Sequence, residues 1–122
     1  MEFNGTNLET LVRQGNVLNR EIFIGRKAIA IQTLTIDSTV GGDALTFPSA
    51  AQLAKITIEK NSLTTGVAAR YWEDGTAPTA TTGMPLWDGD TVEISNGQNI
   101  SAFRIISADA AHNQTINVTY YM

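Results

Sequence analysis

From Thr115 to Tyr121 the chain alternates without a break. Ile116, Val118 and Tyr120 fall on one side, and Thr115, Asn117, Thr119 and Tyr121 on the other. Successive side chains of an extended strand point to opposite faces, so this pattern demands a strand with one buried and one wetted face. The same period of two begins at Lys27. Ile29 and Ile31, then Leu34 and Ile36, alternate with small or polar neighbours, and Ile56 and Ile58 do so within Ala54 to Glu59. Further extended runs are read at Val67 to Trp72, Thr91 to Ile94 and Ala102 to Ile106. Between them lie Val40-Gly41-Gly42-Asp43, Lys60-Asn61-Ser62, Asp74-Gly75, Asp88-Gly89-Asp90 and Asn96-Gly97, which accept positive φ or close Asx-turns.

Strands this short, punctuated this often, must pair antiparallel and bury one face of each sheet against another layer. The expected fold of residues 27–122 is therefore all-β, with an antiparallel β-sandwich of jelly-roll or immunoglobulin-like type as the leading architecture and a barrel as the alternative that the pattern does not separate from it. The length of 122 residues fits one domain, whose folding buries roughly two-thirds of the unfolded chain's surface. There is no cysteine, so disulfides and thiolate metal sites play no part in holding it together.

Residues 1–26 read differently and form an expected N-terminal arm. Thr6 and Glu9 make a capping box ahead of Leu8, Leu11 and Val12, and Gly15 stands where a helix would stop, so Asn7 to Gln14 is read as a short helix. A helix of that length is marginal alone in water and needs a neighbour. Asn16 to Arg26 carries Val17, Leu18, Ile22, Phe23 and Ile24 with no clean period. An arm that crosses to another subunit would bury Leu8, Leu11, Val12, Ile22, Phe23 and Ile24, for which the monomer offers no cover.

Composition narrows the function. The net charge of -4 has the wrong sign for a general nucleic-acid binder. Charged residues make up 16% of the chain, against about 25% in an average domain. A neutral polar surface suits extended contact with other proteins, because each interfacial charge must be paired or desolvated. No apolar run approaches the ~20 residues of a membrane helix, and the N-terminus lacks a secretion signal, so neither a membrane nor an export route is expected. Asn-x-Ser/Thr triplets begin at Asn4, Asn99, Asn113 and Asn117, as expected by chance in a chain rich in these residues.

Reactive chemistry has little to build on. His112, the only histidine, lies in the polar stretch Asp109 to Asn113, with no nucleophile elbow or second histidine at helical spacing, and is expected in a surface turn. Glu73, Asp74, Asp88 and Asp90 could be paired carboxylates or Ca²⁺ ligands, but three of them sit in Asp-Gly or Gly-Asp turns that explain their placement, and no EF-hand spacing is present. No catalytic residue, metal or cofactor is expected. Tyr71, Trp72, Trp87, Tyr120 and Tyr121 could form a sugar-stacking platform. Neighbours on a strand face opposite ways, however, so at most one of Tyr71 and Trp72 shares a given face.

The most distinctive segment runs from Ala68 to Leu86. An Arg70-Tyr71-Trp72 strand leads through Asp74-Gly75-Thr76-Ala77-Pro78-Thr79 to Gly83-Met84-Pro85-Leu86. Its prolines fix φ and remove amide donors, which predicts an extended, unpaired contact loop presenting Thr76, Pro78, Met84 and Pro85. From Ala68 to Ile94, and more weakly over Asn117 to Tyr121, the pattern resembles small virion proteins of tailed bacteriophages. The resemblance implies a virion protein, most plausibly a decoration or cement protein that binds the major capsid protein, as a homo-oligomer with a trimer favoured. A tail or fibre component or a carbohydrate-binding module is the alternative.

Overall fold

The structure is a computed structural model and describes residues 26–122. The helix expected over Asn7–Gln14, and the arm residues Leu8, Leu11, Val12, Ile22, Phe23 and Ile24, lie outside the described residues.

The described part has eight strands: β1 (Ala28–Ile36), β2 (Asp43–Ala44), β3 (Leu53–Ile58), β4 (Val67–Trp72), β5 (Met84–Trp87), β6 (Thr91–Ser95), β7 (Arg104–Ser107) and β8 (Gln114–Tyr121). One helix, α1 (Gly97–Ala102), joins β6 to β7. The strands form two antiparallel sheets, β1-β8-β3-β6 (sheet A) and β2-β7-β4-β5 (sheet B). First pairs with last, second with seventh, third with sixth and fourth with fifth. Such nesting is one long antiparallel ribbon rolled over itself, which is a jelly roll.

Alternation then decides what faces the interior. In sheet A, Ala54 opposes Tyr120, Ile56 opposes Val118 and Ile58 opposes Ile116, all buried. Sheet B answers with Ala69, Tyr71, Leu86 and Ile105 in the same core cluster. The Tyr71 and Phe103 rings lie 5.4 Å apart and tilted, an arrangement that adds to area burial. Deep in sheet A, the Tyr120 hydroxyl donates to Gln32 Oε1 at 2.6 Å, and burial pushes its pKa up to about 12.

Three local features differ from the sequence expectation. A bulge between Ala28 and Ala30 shifts the register of β1, so Ile29 packs on the core while Ile31 turns outward and is 83% exposed. Asn96-Gly97 starts α1 and does not form a simple turn. Asn96 adopts φ 80°, its Oδ1 accepts the Gln98 amide at 2.8 Å, and Ile100 seals the core from below. Finally, Met84–Trp87 is a strand despite Pro85, because β5 is an edge and an edge tolerates the missing donor.

The rolled topology gathers the connections at two ends. The loops β1–β2, β3–β4, β5–β6 and β7–β8 share one end, and β2–β3, β4–β5 and α1 share the other.

Candidate functional site

At the first end, three loops are stitched by side chains. Asp88 accepts the Asn61 amide at 3.0 Å, and Asn61 Oδ1 in turn accepts the amides of Leu63 and Thr64. Asn61 Nδ2 donates to Gln114 Oε1 at 2.8 Å, Gln114 Nε2 donates to Thr64 Oγ1 at 2.9 Å, and Thr64 Oγ1 donates to Asp109 Oδ2 at 2.9 Å. Asp109 Oδ2 also lies 2.8 Å from His112 Nδ1, and Oδ1 accepts the Ala111 amide. The His112 bond first, then those from Thr64 and Ala111, hold the Asp109 carboxyl below its ordinary value.

Ser107, Asp109 and His112 stand close together, and these are the residue types of a hydrolytic triad. Their geometry is different. Ser107 is fully buried, its Oγ 3.1 and 3.0 Å from the backbone carbonyls of Asp109 and His112. The ring nitrogen of His112 that is engaged is the one facing Asp109, within the turn closed by the His112 amide on the Asp109 carbonyl. What this set can do chemically is fix loop conformation. A shallow pocket of about 340 Å³ opens beside it, lined chiefly by Leu63, Thr64, Val67, Ala80, Ala108 and Asp109.

The four acidic residues of the middle segment do not converge. Because Val67 of β4 pairs with Trp87 and Tyr71 with Met84, Asp88 and Asp90 adjoin the start of that strand, while Glu73 and Asp74 follow its end. Asp74 and Asp90 each serve their own turn, while Asp88 reaches across to the Asn61 amide. Asp90 accepts the Trp87 amide at 2.8 Å, and Asp74 accepts the Thr76 amide at 3.0 Å, which lowers its pKa. Among the described residues no three metal-ligating side chains come together. Of the aromatics, Tyr71 and Tyr120 are in the core, Trp72 is half-buried and Trp87 is half exposed at the end of β5.

The loop between β4 and β5 corrects one sequence expectation. It does not stand away as a free contact segment but folds back over the outer face of sheet B. Arg70, on that face, donates from Nε to the Ala80 carbonyl at 3.1 Å and from Nη1 to the Gly83 carbonyl at 2.9 Å. Thr79 closes a tight turn on Thr82. Gly83 sits at φ +125° where a Cβ would meet Arg70, Tyr71 and Pro78 atoms at 3.1–3.3 Å, so the return path needs glycine. Pro78 is therefore fully buried, lining with Val40 and Ile106 a gap under the loop, and its side chain is occupied within the chain. Thr76 and Met84 are exposed and Pro85 half-buried. No local sequence pattern signals this clamp, since both acceptors are backbone carbonyls, which any loop offers.

The outer face of sheet A carries no such cover from the described residues. Rows across β1, β8, β3 and β6 read Ile31, Thr119, Lys55, Glu93 and then Thr33, Asn117, Thr57, Thr91, with Thr35 opposite Thr115 beyond. Thr33 Oγ1 donates to Asn117 Oδ1 at 2.9 Å, and the Thr57 and Thr91 hydroxyls are 3.0 Å apart. Lys55 and Glu93 occupy paired positions on β3 and β6, and most of the remaining positions of these rows are hydroxyl or amide side chains. Compared with known protein families, with characterised proteins and with solved structures, the chain finds no match in any of the three.

Proposed function

We propose that this protein is a structural subunit of a bacteriophage particle, a decoration protein that binds the major capsid protein and copies of itself through contact area. The observation that carries the reading is the outer face of sheet A, where the register gathers Thr33, Thr35, Thr57, Thr91, Thr115, Asn117 and Thr119 into one hydroxyl-rich field with few charges, Lys55 and Glu93 at paired positions. Such a face can be covered with few charges to desolvate, and its hydroxyls can trade water for partner groups at little net cost. The resemblance of Ala68 to Ile94 to small phage virion proteins supports the same reading.

The test uses phage capsids assembled with and without the protein. Bound protein should raise the temperature at which the capsids release their genome, since a ligand of the assembled state stabilises it by mass action. Thr57→Arg together with Thr119→Arg should abolish binding while leaving the fold intact. Capsids that neither bind the chain nor change their release temperature would sink the proposal. Half-exposed Trp87 favours a second reading, glycan binding, which predicts saturable binding lost on Trp87→Ala.

A further inference from the structure

In Asn96-Gly97 an asparagine side chain is open to attack by the backbone nitrogen that follows it, because glycine has no Cβ to screen that nitrogen. Three observations bear on the reaction. Asn96 is exposed among the described residues. The Gly97 amide is the first of α1, where helical amides lack an intrahelical acceptor, and among the described residues nothing accepts it. Asn96 already holds φ 80°. That is the positive sense of the first central residue in a type II′ turn, and a succinimide closes its residue into a turn of that kind.

One torsion stands in the way. In a type II′ turn that residue has ψ of about −120°, whereas Asn96 is held at ψ 131°. Two bonds keep it there. The Asn96 amide donates to the Gln52 carbonyl at 2.7 Å, and Asn96 Oδ1 accepts the Gln98 amide at 2.8 Å. The second lasts only as long as α1 does. That helix is six residues long and docked through the buried Ile100, and a helix so short does not persist without its packing. Opening of α1 is therefore the step that lets the peptide plane rotate.

We infer that Asn96 is a site of spontaneous deamidation and that α1 is its gate. The Gly97 nitrogen gives its proton to solvent base and attacks Asn96 Cγ; the new C–N bond closes a succinimide as the Cγ–Nδ2 bond breaks and ammonia leaves. Water then opens the ring at either carbonyl, to aspartate or to isoaspartate. The fold treats these products differently. Aspartate caps a helix as well as asparagine does, so α1 survives. Isoaspartate routes the main chain through Cβ, which lengthens it ahead of α1 and takes out of the backbone the carbonyl that accepts the Ile100 amide at 3.0 Å. None of this depends on a role in assembly.

The test ages full-length chain in mildly alkaline buffer at physiological temperature, natively and in urea. Trypsin then releases Asn96 in the peptide Tyr71–Arg104. Fragment masses should show the gain of an amide turned to an acid at Asn96, and not at Asn99, where isoleucine follows. The native rate should lie about tenfold below the urea rate, because the reaction waits for local opening. Ile100→Val, which loosens the docking of α1, should bring the two rates closer while the circular dichroism stays the same. No gain at Asn96 in native chain by the time the urea sample has converted overturns the site. Equal native and urea rates, or a native rate that Ile100→Val leaves unmoved, overturn the gate. The parent chain gives a second measure that needs no variant. As urea is raised below the unfolding transition, deamidation should quicken in step with loss of hydrogen-exchange protection at the Gln98 amide, and a rate that ignores that loss also overturns the gate.

Discussion

The two sheets are built alike, four antiparallel strands each, and yet their outer faces have opposite fates. On sheet B the loop of residues 73–83 lies across the strands, and Ile106 beneath it is 3% exposed. On sheet A the corresponding face is left to its threonines, and Ile31 at its edge is 83% exposed. The difference comes from the connections and not from the ladders. The link between β4 and β5, the only one that stays within a sheet, is long enough to fold back, and Arg70 provides two charged donors to fix it there. Among the described residues, one face is covered by a loop of its own sheet and the other carries no such cover.

Replacing the same residue type on each face would break this contrast if it is false. Ile106→Ala removes buried atoms from under the loop and should cost about 2–4 kcal/mol, as large-to-small changes at packed sites do. Ile31→Ala should stay within about 0.5 kcal/mol for the monomer, since an exposed side chain has little packing to lose. Denaturant melts of both variants, in chain dilute enough to be monomeric, decide it. Equal losses would mean that the outer face of sheet A is packed in a way the described residues do not account for.

Arg70→Ala should come next, at about 1–2 kcal/mol, because it removes two charge-assisted bonds, the one to the Gly83 carbonyl being part-buried. Arg70→Lys should recover only part, because an ammonium cannot span both carbonyls as the planar guanidinium does. Limited proteolysis supplies the sharper readout. Cleavage should appear between Thr76 and Thr82 in the alanine variant, with the strands of sheet A left intact.

Much of the fold was legible in the residues. Alternation located β3, β4, β6 and β8 to within a residue or two, and Gly-containing turns marked the β1–β2 and β5–β6 crossings between sheets. Where reading failed, a non-local contact had decided the outcome. Ile31 faces outward because the register is unbroken from Ala30 to the inward Leu34 and Ile36, and it is Ile29 that a bulge before Ala30 returns to the core side, which alternation alone does not place. α1 is a single short turn whose helicity follows from the Asn96 cap and from Ile100 filling the base of the core, both set by the sandwich. β2 and β5 exist because neighbouring strands offer them a ladder. For the candidate surface, the sequence showed low charge and abundant threonine, but only the register of β1, β8, β3 and β6 collects the threonines into one field. The burial of Pro78 was hidden for the same reason, since nothing near it in sequence says that Arg70 will draw the loop back.

The smallest expected effect concerns the loop end and sharpens the contrast from another side. Asp109 is held below its ordinary pKa of 3.8, mainly by His112 and then by Thr64 and Ala111. The folded state therefore binds fewer protons at this carboxyl than the unfolded chain does. Its contribution to stability is present above 3.8 and is lost as the pH falls from there through the lower folded value. Asp43, which burial first and the nearby Asp37 second push upward, runs the other way and costs stability as the pH rises through its folded value. Protonating Asp109 removes its charge and weakens the bonds from Thr64 and Ala111, the first of which joins the β3–β4 and β7–β8 loops, and Ala80, at the turn of the covering loop, lines the same pocket. Hydrogen exchange from about pH 5 to about pH 3, corrected for intrinsic rates, should show the Ala111 amide, which Asp109 Oδ1 accepts, losing protection first. The covering loop should follow, with Thr57 and Asn117 in sheet A unchanged. In Asp109→Asn the first of these responses should disappear. If instead sheet A loosens together with the loops, the two faces are not independent, and the covered sheet owes its order to the whole roll and not to Arg70.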